Sequence, residues 1–238
     1  MRISMKALGV ACVMVAGVVG TAVPANAQVV QSLNVSAGIF MPRGEDSRVN
    51  NDVWLKNVSI FRYEVKDFTG GEIAGEWNFA FGDRVELGLG GAFYQRAVPT
   101  LYRDYTNKDR SEIISEFKLR TIPATAVIRL MPFGRAGSFQ PYIGGGIAVT
   151  SWRYSEVGDF IDFNDNNNVY RARYVATGTS TGPVFLAGFR APIGGDVYAF
   201  TVEGRYLKGE GDLNTNDFLG SKIDLGGTSL RVGFLIRF

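Results

Sequence analysis

The chain has 238 residues, 25 Lys and Arg against 23 Asp and Glu, and no histidine. Residues 1–27 carry Arg2 and Lys6 and no acid, so the remainder holds 23 basic and 23 acidic side chains, which argues against a nucleic-acid binder. The one cysteine, Cys12, lies in that first segment, so burial or a closed hydrogen-bond network must hold the rest without disulfides.

Residues 1–27 read as a cleaved secretory signal peptide. Arg2 and Lys6 precede an apolar run from Ala7 to Val23, and Ala25-Asn26-Ala27 supplies the A-x-A cleavage site. Residues 28–238 are expected to form one domain. Beyond residue 27, Glu, Arg, Asp or repeated Gly breaks each apolar stretch, which leaves no candidate for a membrane-spanning helix. A chain of this kind enters a membrane only as a closed barrel, because lipid leaves no other way to satisfy every backbone group.

Alternation by twos runs through that domain. Leu33, Val35, Ala37 and Ile39 mark a first strand that stops at Pro42. The next sets Ile73, Gly75, Trp77, Phe79 and Phe81 against Glu76, Asn78 and Ala80, and Gly82-Asp83 then turns the chain. A third strand opposes Val85, Leu87, Leu89 and Phe93 to Glu86, Gly88, Gly90, Ala92 and Tyr94. The fourth sets Phe117, Leu119 and Thr121 against Glu116, Lys118 and Arg120. After Pro123 its apolar set shifts to Ala126, Ile128 and Leu130, the pattern of a β-bulge. Strand five spans about Phe139 to Arg153, and strand six carries Phe185, Ala187 and Phe189. Strand seven opposes Tyr198, Phe200, Val202 and Tyr206 to Thr201, Glu203 and Arg205, and the last opposes Leu230, Val232, Phe234, Ile236 and Phe238 to Ser229, Arg231 and Arg237.

Short links at 82–83, 132–138 and 192–196 alternate with long polar segments at roughly 42–71, 96–112, 154–178 and 208–221. This predicts an all-β fold: a transmembrane antiparallel up-and-down β-barrel of eight strands, with short periplasmic turns and long external loops, in the bacterial outer membrane. A soluble sandwich also has alternating strands, but its strands average about 5–6 residues, not about ten. Whether residues 53–66 extend the barrel or fold over it stays open.

An eight-stranded barrel is about wide enough for side chains to fill. The lumen is predicted to receive Glu76, Asn78, Glu86, Tyr94, Glu116, Lys118, Arg120, Tyr142, Thr201, Glu203, Arg205, Ser229 and Arg231, with Glu203 and Arg205 within reach of Arg231. Gly88, Gly90, Gly144 and Gly146 share that face and leave room for long neighbours or a solute path. They do not make a phosphate loop, since neither a helix pattern nor a P-loop lysine follows. Asp159, Asp162, Asn164 and Asp165 read as a solvated external loop, because the glycine and glutamate of an EF-hand loop are missing. No metal or cofactor is expected. The absence of histidine argues against an enzyme, since barrel hydrolases use one as general base.

The run Val232–Phe238 (VGFLIRF) resembles the terminal strand that outer-membrane barrels present to their assembly machinery, with Phe234, Ile236 and Phe238 as the signal. Three segments, Ala37–Pro42 (AGIFMP), Trp77–Arg84 (WNFAFGDR) and Pro141–Ile147 (PYIGGGI), are similar to the small-barrel group that contains outer membrane protein W. The resemblance implies a narrow channel and uptake of small apolar compounds. The lumen of that group is largely hydrophobic, whereas the inward face predicted here carries ion-pairing residues. The expected partners are outer-membrane lipid, the assembly machinery and a small solute. The expected function is a narrow pore for small solutes; the alternative is a closed barrel acting in structure, adhesion or surface interaction.

Overall fold

The computed structural model describes residues 29–163 and 165–238; the expected signal peptide lies outside the described residues. Eight long strands form the body: β1 (Val30–Pro42), β2 (Gly70–Phe81), β3 (Val85–Thr106), β4 (Glu112–Leu130), β5 (Gln140–Asp162), β6 (Asn168–Ile193), β7 (Tyr198–Leu207) and β8 (Gly227–Arg237). Each pairs antiparallel with its sequence neighbours, and β1 closes on β8 from Ser32 opposite Arg237 to Pro42 opposite Gly227. Within the closed ring there is no sheet edge, so each ladder position there can be satisfied.

Residues 82–84, 131–139 and 194–197 make the short turns at one end. At the other end the staves are uneven. β1, β2, β7 and β8 have 10–13 residues, about a tilted membrane crossing, while β3 to β6 have 19–26. The excess carries these four strands beyond the membrane as a wall. Much of the polar sequence at 96–112 and 154–178, expected as loop, is therefore strand, and among the described residues only 107–111, 163 and 165–167 lie between these strands. Asp159 and Asp162 accordingly belong to β5.

Around the ring an apolar band faces outward. Val35, Ile39, Ile73, Trp77, Phe93, Ile122, Ile128, Ile143, Ile147, Phe185, Val232 and Phe234 are all exposed, Ile73 at 62 %. A soluble sandwich would bury such a face; in lipid it is the matching surface. Trp77, Phe139, Tyr198 and Phe238 gather near the short-turn end, where Trp77 and Phe238 meet edge to face at 5.5 Å, as an interfacial belt requires.

The expected parity switch at Pro123 does not occur. Gly91 faces Ala124 and Tyr94 faces Thr121, so the register is the same on both sides of the proline. Ser115, Phe117, Leu119, Thr121, Pro123, Val127 and Arg129 all point inward, while Glu116, Lys118 and Arg120 point outward. What changes along β4 is its surroundings. Below Pro123 the outer face meets lipid tails and is apolar; above it the outer face enters the polar headgroup zone and then water and is polar, and the inner face becomes apolar in turn.

That inner apolar face needs a core to pack on, and residues 43–69 supply it. Helix α1 (Val53–Val58) sits in the barrel mouth with Val53 and Trp54 fully buried. The Trp54 ring stacks on Phe68 at 3.8 Å, and Tyr63 meets Phe117 at 5.5 Å. Residues 53–66 thus fold into the mouth, and only Phe61–Arg62 adds to the sheet, beside Leu101 and Tyr102 of β3. Residues 210–212 and 222–224 pair as a short ribbon in the β7–β8 connection. Arg48 ties the two cap segments together: it pairs with Asp52, donates to the Asp224 carbonyl at 2.9 Å and lies 4.3 Å from the Trp54 ring centre.

Candidate functional site: a charged lumen beneath an aromatic cap

Within the membrane-spanning part, alternate residues of six strands send charged groups to the axis. Arg129 of β4, 1 % exposed, pairs with Glu76 of β2, reaches Glu203 of β7 at 2.9 Å and Glu86 of β3 at 3.5 Å, and donates to Asn78 Oδ1 at 2.9 Å. Arg190 of β6 grips Glu86 with both terminal nitrogens, at 2.7 and 2.5 Å. Arg205 bridges Glu203 at 2.7 Å and Glu76 at 2.9 Å. Tyr142 of β5 donates to Glu203 at 3.1 Å and presents its ring to Arg129 and Arg190 at 5.3 and 5.2 Å. A buried charge is tolerated when it is paired, and each guanidinium here meets at least one carboxylate, while Arg129 Nε, Arg190 Nε and Asn78 Nδ2 have no hydrogen-bond partner among the described residues.

Nearer the mouth, Arg231 pairs with Glu72, which also accepts from Ser229 Oγ at 3.1 Å. Arg231 does not engage Glu203 or Arg205 as expected, although it lies opposite Glu203 in the ladder. The reason is Gly38. It sits between Arg231 on one side and Glu72 on the other, and its missing side chain lets the pair meet across β1. The lumen therefore holds four guanidiniums and four carboxylates: Arg129, Arg190, Arg205 and Arg231 with Glu72, Glu76, Glu86 and Glu203.

Of the predicted lumen residues, Glu76, Asn78, Glu86, Tyr94, Tyr142, Thr201, Glu203, Arg205, Ser229 and Arg231 are inward and buried. Lys118 and Arg120, with Glu116, are not lumen-lining; they face outward because the uninterrupted register keeps the even positions of β4 on the outer wall. Glu72, Arg129 and Arg190 were not predicted. Arg129 has the opposite parity to Ile128 and Leu130, and Arg190 the opposite parity to Phe185 and Phe189, so alternation alone could have found both.

Above the network the cap closes the mouth and carries a cavity of about 390 Å³. Phe61, Tyr102, Phe160, Tyr170, Tyr174 and Phe218 supply its aromatic walls, and Glu156, Asp162 and Asp217 its acids. Glu156 is 4 % exposed and accepts from Asn57 Nδ2 at 2.7 Å and from the Tyr154 hydroxyl at 2.9 Å, both through Oε1. Burial pushes its carboxyl up to about 7, outweighing the lowering by those two hydrogen bonds. Aromatic walls with an acidic floor suit a ligand with an apolar body and a positive group.

The ring, the outward apolar band and the aromatic belt together define the class: a small outer-membrane β-barrel of eight strands. Neither a protein-family model nor a curated protein matches the chain. Solved structures do resemble it. Outer membrane protein W of E. coli is 13 % identical over 90 % of this chain and 100 % of that one, with a TM-score of 0.45. Ail, the attachment invasion locus protein of Yersinia pestis, is 12 % identical over 89 % and 99 %, with a TM-score of 0.42. The outer membrane protease OmpT of Escherichia coli is 8 % identical over 90 % and 98 %, with a TM-score of 0.44. These three differ in role, and likeness at this level assigns none of them to this chain.

Proposed function

We propose that this protein is a closed outer-membrane barrel whose function is structural or surface-interactive and is exercised through its external cap. One observation carries the reading: the lumen is filled at two levels, by the Arg129 network within the membrane and by the Trp54–Phe68 core above it. Between them, the space bounded by Glu72, Thr125, Arg205 and Arg231 is about 20 Å³, room for about one water. The aromatic, acidic cavity of the cap is the natural place for an external ligand. A non-catalytic role agrees with the lack of histidine and with the way Arg129, Arg190 and Arg205 occupy the buried carboxylates. Phe234 and Ile236, exposed along β8, and Phe238 just after it are the segment proposed to engage the assembly machinery.

The rival is the narrow pore for small solutes, which draws on the sequence resemblance. Planar-bilayer conductance of the folded, purified protein separates the two. Insertion without discrete current steps is expected, with insertion confirmed independently by protease protection. Reproducible single-channel steps would overturn the closed-barrel reading and return the lumen charges to the role of a selectivity filter.

A further inference from the structure

Lys118 and Arg120, expected in the lumen, instead help to line a second site on the outer wall. Lys118 and Arg120 of β4, Arg153 and Ser155 of β5, Arg173 of β6 and Gln95 of β3 line a groove of about 220 Å³ on the outer wall. Arg120 lies directly opposite Arg153 in the ladder, with Gln95 on its other side, and Lys118 lies opposite Ser155. Like charges placed directly opposite each other destabilise a sheet. None of the four cations has an ion-pair or hydrogen-bond partner among the described residues. The acids on the same wall, Glu116 and Asp159, sit farther from the apolar band and do not line the groove. The sheet thus holds four uncompensated cations around one cavity.

Height identifies what would compensate them. Arg120 is two residues above Ile122 and Gln95 two above Phe93, and both apolar side chains belong to the exposed band. The groove begins where the lipid-facing surface ends, on the side of the long strands. At that level of a membrane lie the headgroups of the outward-facing leaflet, where an anionic group is held close to the wall by its own acyl chains. Guanidiniums are matched to phosphate by geometry as well as charge, and basic pockets at this depth take anionic headgroups.

We infer that the groove between Lys118, Arg120, Arg153 and Arg173 binds a phosphate group of an outer-leaflet glycolipid, so that the wall formed by β4, β5 and β6 carries a bound phosphorylated glycolipid. The inference rests on the membrane-spanning fold and not on whether the lumen conducts.

Native mass spectrometry of the folded protein released from micelles tests it, with phosphorylated lipid A and its dephosphorylated form as probes. The wild type is expected to retain the phosphorylated lipid, and the variant carrying Arg120→Gln and Arg153→Gln to retain about tenfold less or lower. Lys108→Gln, in the β3–β4 turn, serves as a charge control that should retain lipid as the wild type does. Folding of each variant is read from its heat-modifiable gel mobility; the single change Arg120→Glu provides a second variant if the double one misfolds. Equal retention by wild type and the groove variants would overturn the proposal, as would equal retention of the dephosphorylated lipid. Displacement by excess inorganic phosphate would make the groove a free-anion site and overturn the lipid assignment.

Discussion

Arg129 shows what a single side chain does in this protein. It is fully enclosed, yet it contacts an acid of the neighbouring β3 and, across the barrel interior, acids of β2 and β7. Removing one partner of a buried ion cluster leaves the others charged and unpaired, which typically costs about 3–5 kcal/mol. Arg129→Ala is therefore expected to lower the urea midpoint of barrel unfolding in micelles by that equivalent. Arg129→Lys should recover only part of the loss, since one ammonium cannot form both ends of the guanidinium fork. A midpoint unchanged in Arg129→Ala would show that the network is not a brace.

The elements carry a different kind of constraint, seen where β1 closes the ring. At Gly38 an added Cβ would lie 2.1 Å from the Leu230 carbonyl oxygen and 2.8 Å from the Arg231 Cα, both backbone atoms that can move only with β8 itself. Gly38→Val is thus expected to reduce the yield of folded, heat-modifiable barrel severely. Gly75→Ala is the matched control: it faces the lipid side with nothing within 4 Å of the added atom and should fold normally. The elements also show how alternation misleads. β4 was given a bulge at Pro123 because its apolar residues change parity there, and the inference from parity to face holds only while the outside solvent is constant. In β4 the outer medium changes from lipid tails to polar headgroups and water along one uninterrupted strand, so the pattern inverts without any change of backbone.

As a whole, the molecule is two structures stacked in one barrel, and they should answer differently to pH. Within the cap, the Glu156 carboxyl titrates near 7 against an ordinary 4.5 because it is buried, and Asp52 is also raised by burial although Arg48 opposes it. A carboxyl raised on folding stabilises the folded state below its ordinary value, and that contribution is lost as pH rises through the folded value. For Glu156 the window runs from 4.5 to about 7 and corresponds to about 3 kcal/mol. Between about pH 5 and about pH 7, hydrogen exchange in residues 43–69 should accelerate relative to its intrinsic rate, while the membrane-embedded strands stay protected. Glu156→Gln should flatten most of that pH response. Equal acceleration in the lower strands would show that the two levels unfold together.

The alternation of residues 73–94 and 198–236, the eight crossings, the outward apolar band and most of the inward charges were legible in the chain itself. Each depends only on period-two geometry and on lipid refusing unpaired backbone, which are local rules. Tertiary structure decided the rest. Ring closure brings Arg129 to Glu76 and Glu203, Arg190 to Glu86 and Arg205 to Glu76, because residues on non-adjacent strands become neighbours only across a shared axis. The uninterrupted register of β4 put Lys118 and Arg120 on the outer wall, and the cap gave residues 53–66 a core to fold into. A strand's sequence states which side chains share a face; which medium that face meets, and at what height, is set only when the other strands and the cap are in place.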